Sequence, residues 1–84
     1  MILQDASYKI RGSIFDVYNE LGPGLLESVY EKAMVIEMKH RGLNVQSQVT
    51  IDVLYKGSDL GIQQRLNLLV NDQIIIEIKS VEAL

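Results

Sequence analysis

The chain is 84 residues long, which leaves room for one domain and a thin core, since a chain this short buries only about 60–65% of its unfolded surface. A hydrophobic content of 48% with a single proline and no low-complexity stretch excludes a disordered segment. The net charge of −3 excludes attachment to nucleic acid by bulk charge alone, leaving only a local basic groove, and the lack of cysteine excludes disulfide staples, thiolate metal sites and a thiol nucleophile. No apolar run approaches the roughly 18 residues of a bilayer span, and the start lacks a basic stretch followed by a long apolar one, so the expected location is the cytoplasm.

From about Asp5 to Leu21, Ile10, Ile14, Val17, Tyr18 and Leu21 recur at helical spacing, and Asp5 or Ser7 can cap the start. Gly22-Pro23-Gly24 then stops the helix, because proline cannot continue it and glycine tolerates a sharp reversal. A second helix is predicted from about Leu25 to Arg41, with Leu26, Val29, Tyr30, Ala33, Met34, Ile36 and Met38 on a broad apolar face. Gly42 suits the position just past its end, and Lys39, His40 and Arg41 suit the negative end of its dipole.

Beyond Gly42 the period changes to two. Val49, Ile51, Val53 and Tyr55 alternate with Gln48, Thr50, Asp52 and Leu54, as in a strand with one better-buried face. Lys56-Gly57-Ser58-Asp59 reads as a turn, and strands follow from about Gly61 to Val70 and from about Ile74 to Val81. The predicted fold is α+β: a single domain over residues 1–84, with two N-terminal helices packed on a three-stranded antiparallel sheet.

The last hairpin has a predictable register, because paired residues on antiparallel strands point to the same side. If Asn71, Asp72 and Gln73 form a three-residue loop, Val70 pairs with Ile74, Leu68 with Ile76 and Leu66 with Ile78, making one apolar face. The other face then carries Asn67 beside Glu77 and Arg65 beside Lys79. A two-residue loop would mix polar and apolar side chains on both faces. Glu77-Ile78-Lys79 sits inside an apolar run, where a buried strand has no structural need for ions. A Glu-x-Lys pair on one face suits Mg²⁺, which takes oxygen ligands, when a carboxylate on the neighbouring strand completes the cradle, and it suits a lysine that orients water at a phosphodiester.

Gly24-Leu-Leu-Glu27-Ser-Val-Tyr30 is a G-x-x-E-x-x-Y signature, followed in order by Gln48-Val-Thr-Ile, Tyr55-Lys-Gly57, Arg65-Leu-Asn67-Leu-Leu-Val70 and Glu77-Ile-Lys79. Together these motifs, spread from about Tyr8 to the end, resemble the GxxExxY proteins, a small family of the PD-(D/E)XK nuclease-like superfamily. The resemblance implies the N-terminal part of a restriction-endonuclease-like core. It also implies a divalent-metal site with Glu27, Asn67 and Glu77 at the ligand positions, Glu77 and Lys79 as the catalytic pair, and nucleic acid as substrate.

Two departures follow. The family pattern has Asp where this chain has Asn67, which carries no charge and offers a metal only a neutral carbonyl, so weak Mg²⁺ binding and little or no cleavage are expected. The family also continues past its Glu-x-Lys strand into a helix and further strands, whereas this sequence stops at Leu84, as a truncated member, an interrupted reading frame or a shortened chain would.

Simpler readings stand beside these. Glu27 is either a ligand or a carboxylate meeting a helix dipole, and Tyr30 reads as a core aromatic with a bonded hydroxyl. His40 pairs with a dipole, and Arg65 either builds a phosphate-binding corner with Lys79 or pairs with Glu77. Gly22-Pro23-Gly24 lacks the lysine of a phosphate loop and reads as a helix-to-helix turn. Two functions compete: a degraded phosphodiesterase, and a non-catalytic binding or assembly module that keeps the fold. The third strand, apolar on both faces from Ile74 to Ile78, is expected to pair with a second copy in a homodimer.

Overall fold

The computed structural model describes residues 3–79 and has the element order α1 (Leu3–Leu21), α2 (Glu27–His40), β1 (Val45–Tyr55), β2 (Ser58–Val70) and β3 (Ile74–Ile76). The sheet is antiparallel, ordered β1-β2-β3. The predicted class and layering, two helices against a three-stranded sheet, are therefore observed. An extent of only 18 Å along the shortest axis fits one helical layer on one sheet.

Helix α1 starts at Leu3, ahead of the expected cap, so Asp5 lies in its first turn and forms an ion pair with Lys9 at 3.9 Å. Its buried stripe is Ala6, Ile10, Ser13 and Val17, whereas Ile14 and Tyr18, expected inside, are 49% and 58% exposed. Small residues at Ala6 and Ser13 let α2 approach, and flexible Met34 and Met38 pack in the same core cluster. The buried Ser13 hydroxyl donates to Lys9 O at 2.9 Å, which satisfies the one buried polar side chain among the described residues.

The turn between the helices is tied by one side chain. Tyr30 Oη donates to Gly22 O at 2.7 Å and accepts from Leu25 N–H at 3.0 Å. Gly24 takes φ +92°, a conformation costly for other residues. Helix α2 begins at Glu27 and not at Leu25, because Leu26 at its cap position is extended.

The far end of α2 closes on Gly42 as expected. Gly42, at φ +83°, donates its N–H to Lys39 O at 3.0 Å, and Leu43 N–H reaches Met38 O at 3.0 Å. Leu43 and Met38 are both buried, giving the apolar contact that accompanies this double closure. Arg41 turns back over α1, where it pairs with Asp16 and lies so close to Gly12 that a Cβ there would stand 2.6 Å from its Nη1.

Strand β1 begins earlier than its alternation indicated, at Val45, which is buried. The first hairpin turn is tighter than expected: Lys56 and Gly57 alone form it, at φ 49° and 83°, with Tyr55 opposite Ser58. Two positive φ values match a primed turn, whose twist suits the flanking strands. The register then shifts between Asp52 and Leu54, beside Gly61 at φ 70°, whose N–H donates to Asp59 Oδ1 at 2.8 Å. None of residues 51–65 is buried, so the outer half of this hairpin extends past the helices and the predicted alternation there has no core to face.

The second hairpin has the predicted register, with Val70 opposite Ile74, Leu69 opposite Ile75 and Leu68 opposite Ile76. The core forms beneath it from Leu66, Leu68 and Val70 with Met34, Met38, Leu43 and Val45. Strand β3 is shorter than expected. It ends at Ile76, so the expected pairs Leu66–Ile78, Asn67–Glu77 and Arg65–Lys79 are not part of the ladder; Val81 lies outside the described residues. The physical reason is a competing acceptor: Asn67 Oδ1 takes the Ile78 N–H at 3.0 Å.

Replacing Tyr30 by Phe removes both hydrogen bonds of the interhelical turn without disturbing the ring. The expected loss is about 1 kcal/mol, a fall of about 4–8 °C in Tm for a domain of this size. Thermal unfolding checks it, and an unchanged Tm would show that the hydroxyl does not tie the turn.

Candidate functional site

Two neighbouring cavities divide the residues that the sequence singles out. The first, about 270 Å³, is lined by Glu27, Ser28 and Glu31 from α2, by Gln48 of β1, by Arg65 and Asn67 of β2 and by Ile78. The second, about 250 Å³, lies against both helices and is lined by Glu77 and Lys79 together with Tyr18, Tyr30 and apolar side chains. Glu27, Asn67 and Arg65 are thus brought together, and Glu77 and Lys79 line the second cavity, with Ile78 between them lining both.

The helical wall of the first cavity follows from spacing. Glu27 and Glu31 are four residues apart in α2 and share one face. Glu27 occupies the first turn, where a carboxylate also meets the positive end of the helix dipole.

The sheet wall depends on an unusual residue. Gln48 lies between the Ser47–Leu68 and Val49–Leu66 pairs, level with Asn67, and takes φ +56° in mid-strand. A left-handed non-glycine residue costs about 1–2 kcal/mol, and such strain persists where surrounding contacts hold it. Here the contact is from Gln48 Nε2 to Glu31 Oε1 at 2.6 Å, which joins β1 to α2 across the cavity. Glu31, Ser28 and Gln48 were not assigned to the site by the sequence reading. The spacing of Glu31 from Glu27 could have found the first; nothing in the local sequence announces a left-handed glutamine.

Asn67 is half-buried, and its Oδ1 accepts one hydrogen bond. With Oδ1 accepting from Ile78 N–H, the other branch of the planar amide is a donor and not a second oxygen. This bears on the expected metal. Among the described residues no group of three or more His, Asp or Glu side chains converges as a cation would need, and Glu77 lines the other cavity. In the first cavity Glu27 and Asn67 offer one carboxylate and one neutral carbonyl, a weak donor set for a divalent cation.

The remaining residues follow their simpler readings. His40 is exposed in the last turn of α2. Arg65 forms no ion pair with Glu77 among the described residues and stays with Asn67, apart from Lys79. Gly22-Pro23-Gly24 is the interhelical turn.

A family model described as the PD-(D/E)XK nuclease superfamily matches residues 4–84. No curated protein and no solved structure matches the chain.

The left-handed strand residue gives a test with an unusual sign. Gln48→Ala and Gln48→Gly both lose the bond to Glu31, but glycine adopts φ +56° without the steric cost that alanine carries. Gln48→Gly is expected to be more stable than Gln48→Ala by about 0.5–1 kcal/mol, against the usual order within strands. Chemical denaturation of the two variants decides it, and an alanine variant at least as stable as glycine would rule out the left-handed backbone.

Proposed function

The chain belongs to the PD-(D/E)XK nuclease superfamily, and from that membership we propose that it is a relative of metal-dependent phosphodiesterases that keeps the nuclease-like fold without appreciable cleavage in this form. Within the superfamily we place it with the GxxExxY proteins, on Gly24, Glu27 and Tyr30. In this reading Glu27, Asn67 and Glu77 occupy the former metal positions, for Mg²⁺ bound weakly at best, and Glu77 and Lys79 are the former catalytic pair. The substrate class is nucleic acid, and the chain acts in the cytoplasm. Among the described residues no helix is long and apolar enough to cross a membrane.

One observation supports this reading above the others: position 67 offers a cation only a neutral amide oxygen, which already accepts from Ile78 N–H. Loss of preorganised charge at a phosphoryl-transfer site commonly costs factors of about 10² or more in rate. Incubation of plasmid and oligonucleotide substrates with Mg²⁺ or Mn²⁺ is expected to give no cleavage above background. Metal-dependent cleavage that disappears in Lys79→Ala would overturn the reading, since dependence on Lys79 separates it from contamination.

A second reading, a binding or assembly module, is favoured by exposed apolar surface. Tyr8 and Phe15 on α1 are 69% and 70% exposed, and Leu54, Tyr55, Leu60 and Ile62 are exposed on the outer hairpin. For the partner we propose a second copy joined through β3, which stands at one edge of the sheet with Ile75, its central residue, exposed. Light scattering at about 100 μM is expected to give the mass of a dimer for any micromolar association. A monomer at that concentration, or a dimer unaffected by Ile75→Lys, would remove the β3 interface.

A further inference from the structure

We propose that α1 carries a second helix-pairing seam on its exposed side, formed by Tyr8, Arg11, Phe15 and Tyr18, and that its occupant is the same seam of a second copy, packed antiparallel. The inference goes beyond the functional reading and uses a different surface from the β3 edge, so either can fail without the other.

Helix α1 has two stripes. Ala6, Ile10, Ser13 and Val17 are buried, and three of them belong to the core cluster that holds Met34 and Met38 of α2. Tyr8, Arg11, Phe15 and Tyr18 repeat at the same steps of three and four residues, but on exposed surface. Steps of three and four are the spacing of a seam between two helices. The inner stripe is used in that way and the outer one is not. Ile14 stands exposed on one flank of the outer stripe, so four large apolar side chains of this one helix are left uncovered by folding. Contiguous apolar surface of this kind marks a contact with another molecule.

The charges around the stripe decide what can cover it. Asp5 is paired with Lys9, and Asp16 with Arg41, whose guanidinium also lies over Gly12. Arg11, in the middle of the stripe, forms no ion pair and no ring contact among the described residues, and with Tyr8 and Phe15 it lines one hollow of about 410 Å³. A cation set between exposed rings is satisfied by an aromatic face or a carboxylate, and the stripe itself supplies the aromatic face.

Antiparallel pairing meets this requirement at one register. With Tyr8 opposite Tyr18 of the second copy, Arg11 falls opposite Phe15, and the two-fold axis repeats both contacts. Every member of the stripe then meets another member, with two cation–π contacts inside and two aromatic pairs outside. The axis keeps each flank of the seam on its own side, so Ile14 comes beside Ile14 of the second copy. A parallel pair would instead set Arg11 against Arg11. The contact is small: five side chains from each copy cover on the order of 1,000 Å² in total, at the low end of specific interfaces, which suits a dissociation constant of about 1 mM. At about 100 μM such a contact is mostly open, so the mass measured there reports on β3.

The experiment is solution NMR on the full chain over about 0.05–2 mM, with Ile75→Lys as a parallel sample that lacks β3 pairing. In both samples the ring resonances of Tyr8, Phe15 and Tyr18 are expected to shift together with concentration, and a ring NOE between Tyr8 and Tyr18 to appear at the high end. Within one helix those residues are about 15 Å apart along the axis, so that NOE arises only between two chains. Substitutions at exposed Phe15 then read the contact with Arg11. Phe15→Glu offers Arg11 of the second copy a carboxylate and Phe15→Lys a like charge, so the lysine variant is expected to associate about tenfold more weakly than the glutamate variant. A patch held by apolar area alone would lose equally with both. Ring shifts that stay flat over the whole series would overturn the pairing and leave the stripe to a different protein. Concentration-dependent shifts without the Tyr8–Tyr18 NOE, or equal loss in the two Phe15 variants, would overturn the antiparallel seam. Should a Phe15 variant fail to fold, Arg11→Glu, which sets a carboxylate against the Phe15 ring, serves instead: a loss of about tenfold is expected, and unchanged association would overturn the seam.

Discussion

The register of the sheet depends on Asn71. Its backbone N–H donates to Asn44 O at 2.8 Å, and its side-chain Oδ1 accepts from Asn44 N–H at 2.9 Å, while its own backbone turns left-handed at φ 52° to start the loop into β3. One residue therefore fixes the start of β1 against the end of β2 and begins the hairpin that fixes β3 against β2. Asparagine suits this position because its short amide can imitate a backbone group and it tolerates a positive φ better than most residues. A slip of one residue in either pairing would set the Leu66, Leu68 and Val70 face of β2 on the side opposite its neighbour's apolar face and break up the core. The same register brings Asn67 level with Gln48, so the polar cavity and the apolar core follow from one constraint.

Much of the fold was legible in the sequence because periodicity reports burial. The three-residue loop could be deduced from the faces of the residues around it, and Gly42 from its place after a helical pattern. The errors arise where burial and periodicity part company. Ile14 and Tyr18 have the right spacing for a core face, but the seam with α2 selects Ala6 and Ser13, small residues that carry little hydrophobic signal. The outer part of β1 and β2 alternates as a half-buried strand would, yet projects where no helix covers it. Alternation specifies which residues share a face, not whether anything packs against that face.

The site was legible only in part, for a related reason. Glu27, Arg65 and Asn67 share a cavity as their motif positions suggest. The end of the β3 ladder at Ile76 was not readable, because strand propensity favours continuation through Ile78 while the Ile78 N–H goes to a side chain on the neighbouring strand. Nor does any local rule foresee Gln48. Its left-handed backbone is paid for by a contact with Glu31, 17 residues earlier in the chain, and tertiary contacts of that kind override local preference.

On the proposed reading, in which Asn67 stands where the resembling family has Asp, this geometry gives the difference its meaning. Either residue offers an oxygen to the Ile78 N–H, so the strand is held equally well by both. They differ in the second branch of the planar group. In Asp that branch is another acceptor oxygen, able to face a cation while the first holds the backbone. In Asn it is a neutral N–H donor pair, which cannot ligate a cation. Substitution of one atom thus leaves the packing role intact and inverts the polarity offered to a ligand. A position with two roles can lose the chemical one without any loss of fold, because the two roles use different atoms of the same side chain. The Leu66–Leu68–Val70 face, on which stability rests, lies on the other side of the strand and is unaffected by the exchange. Selection for a stable sheet would therefore retain Asn67 as readily as Asp, and only selection for phosphodiester chemistry would distinguish them.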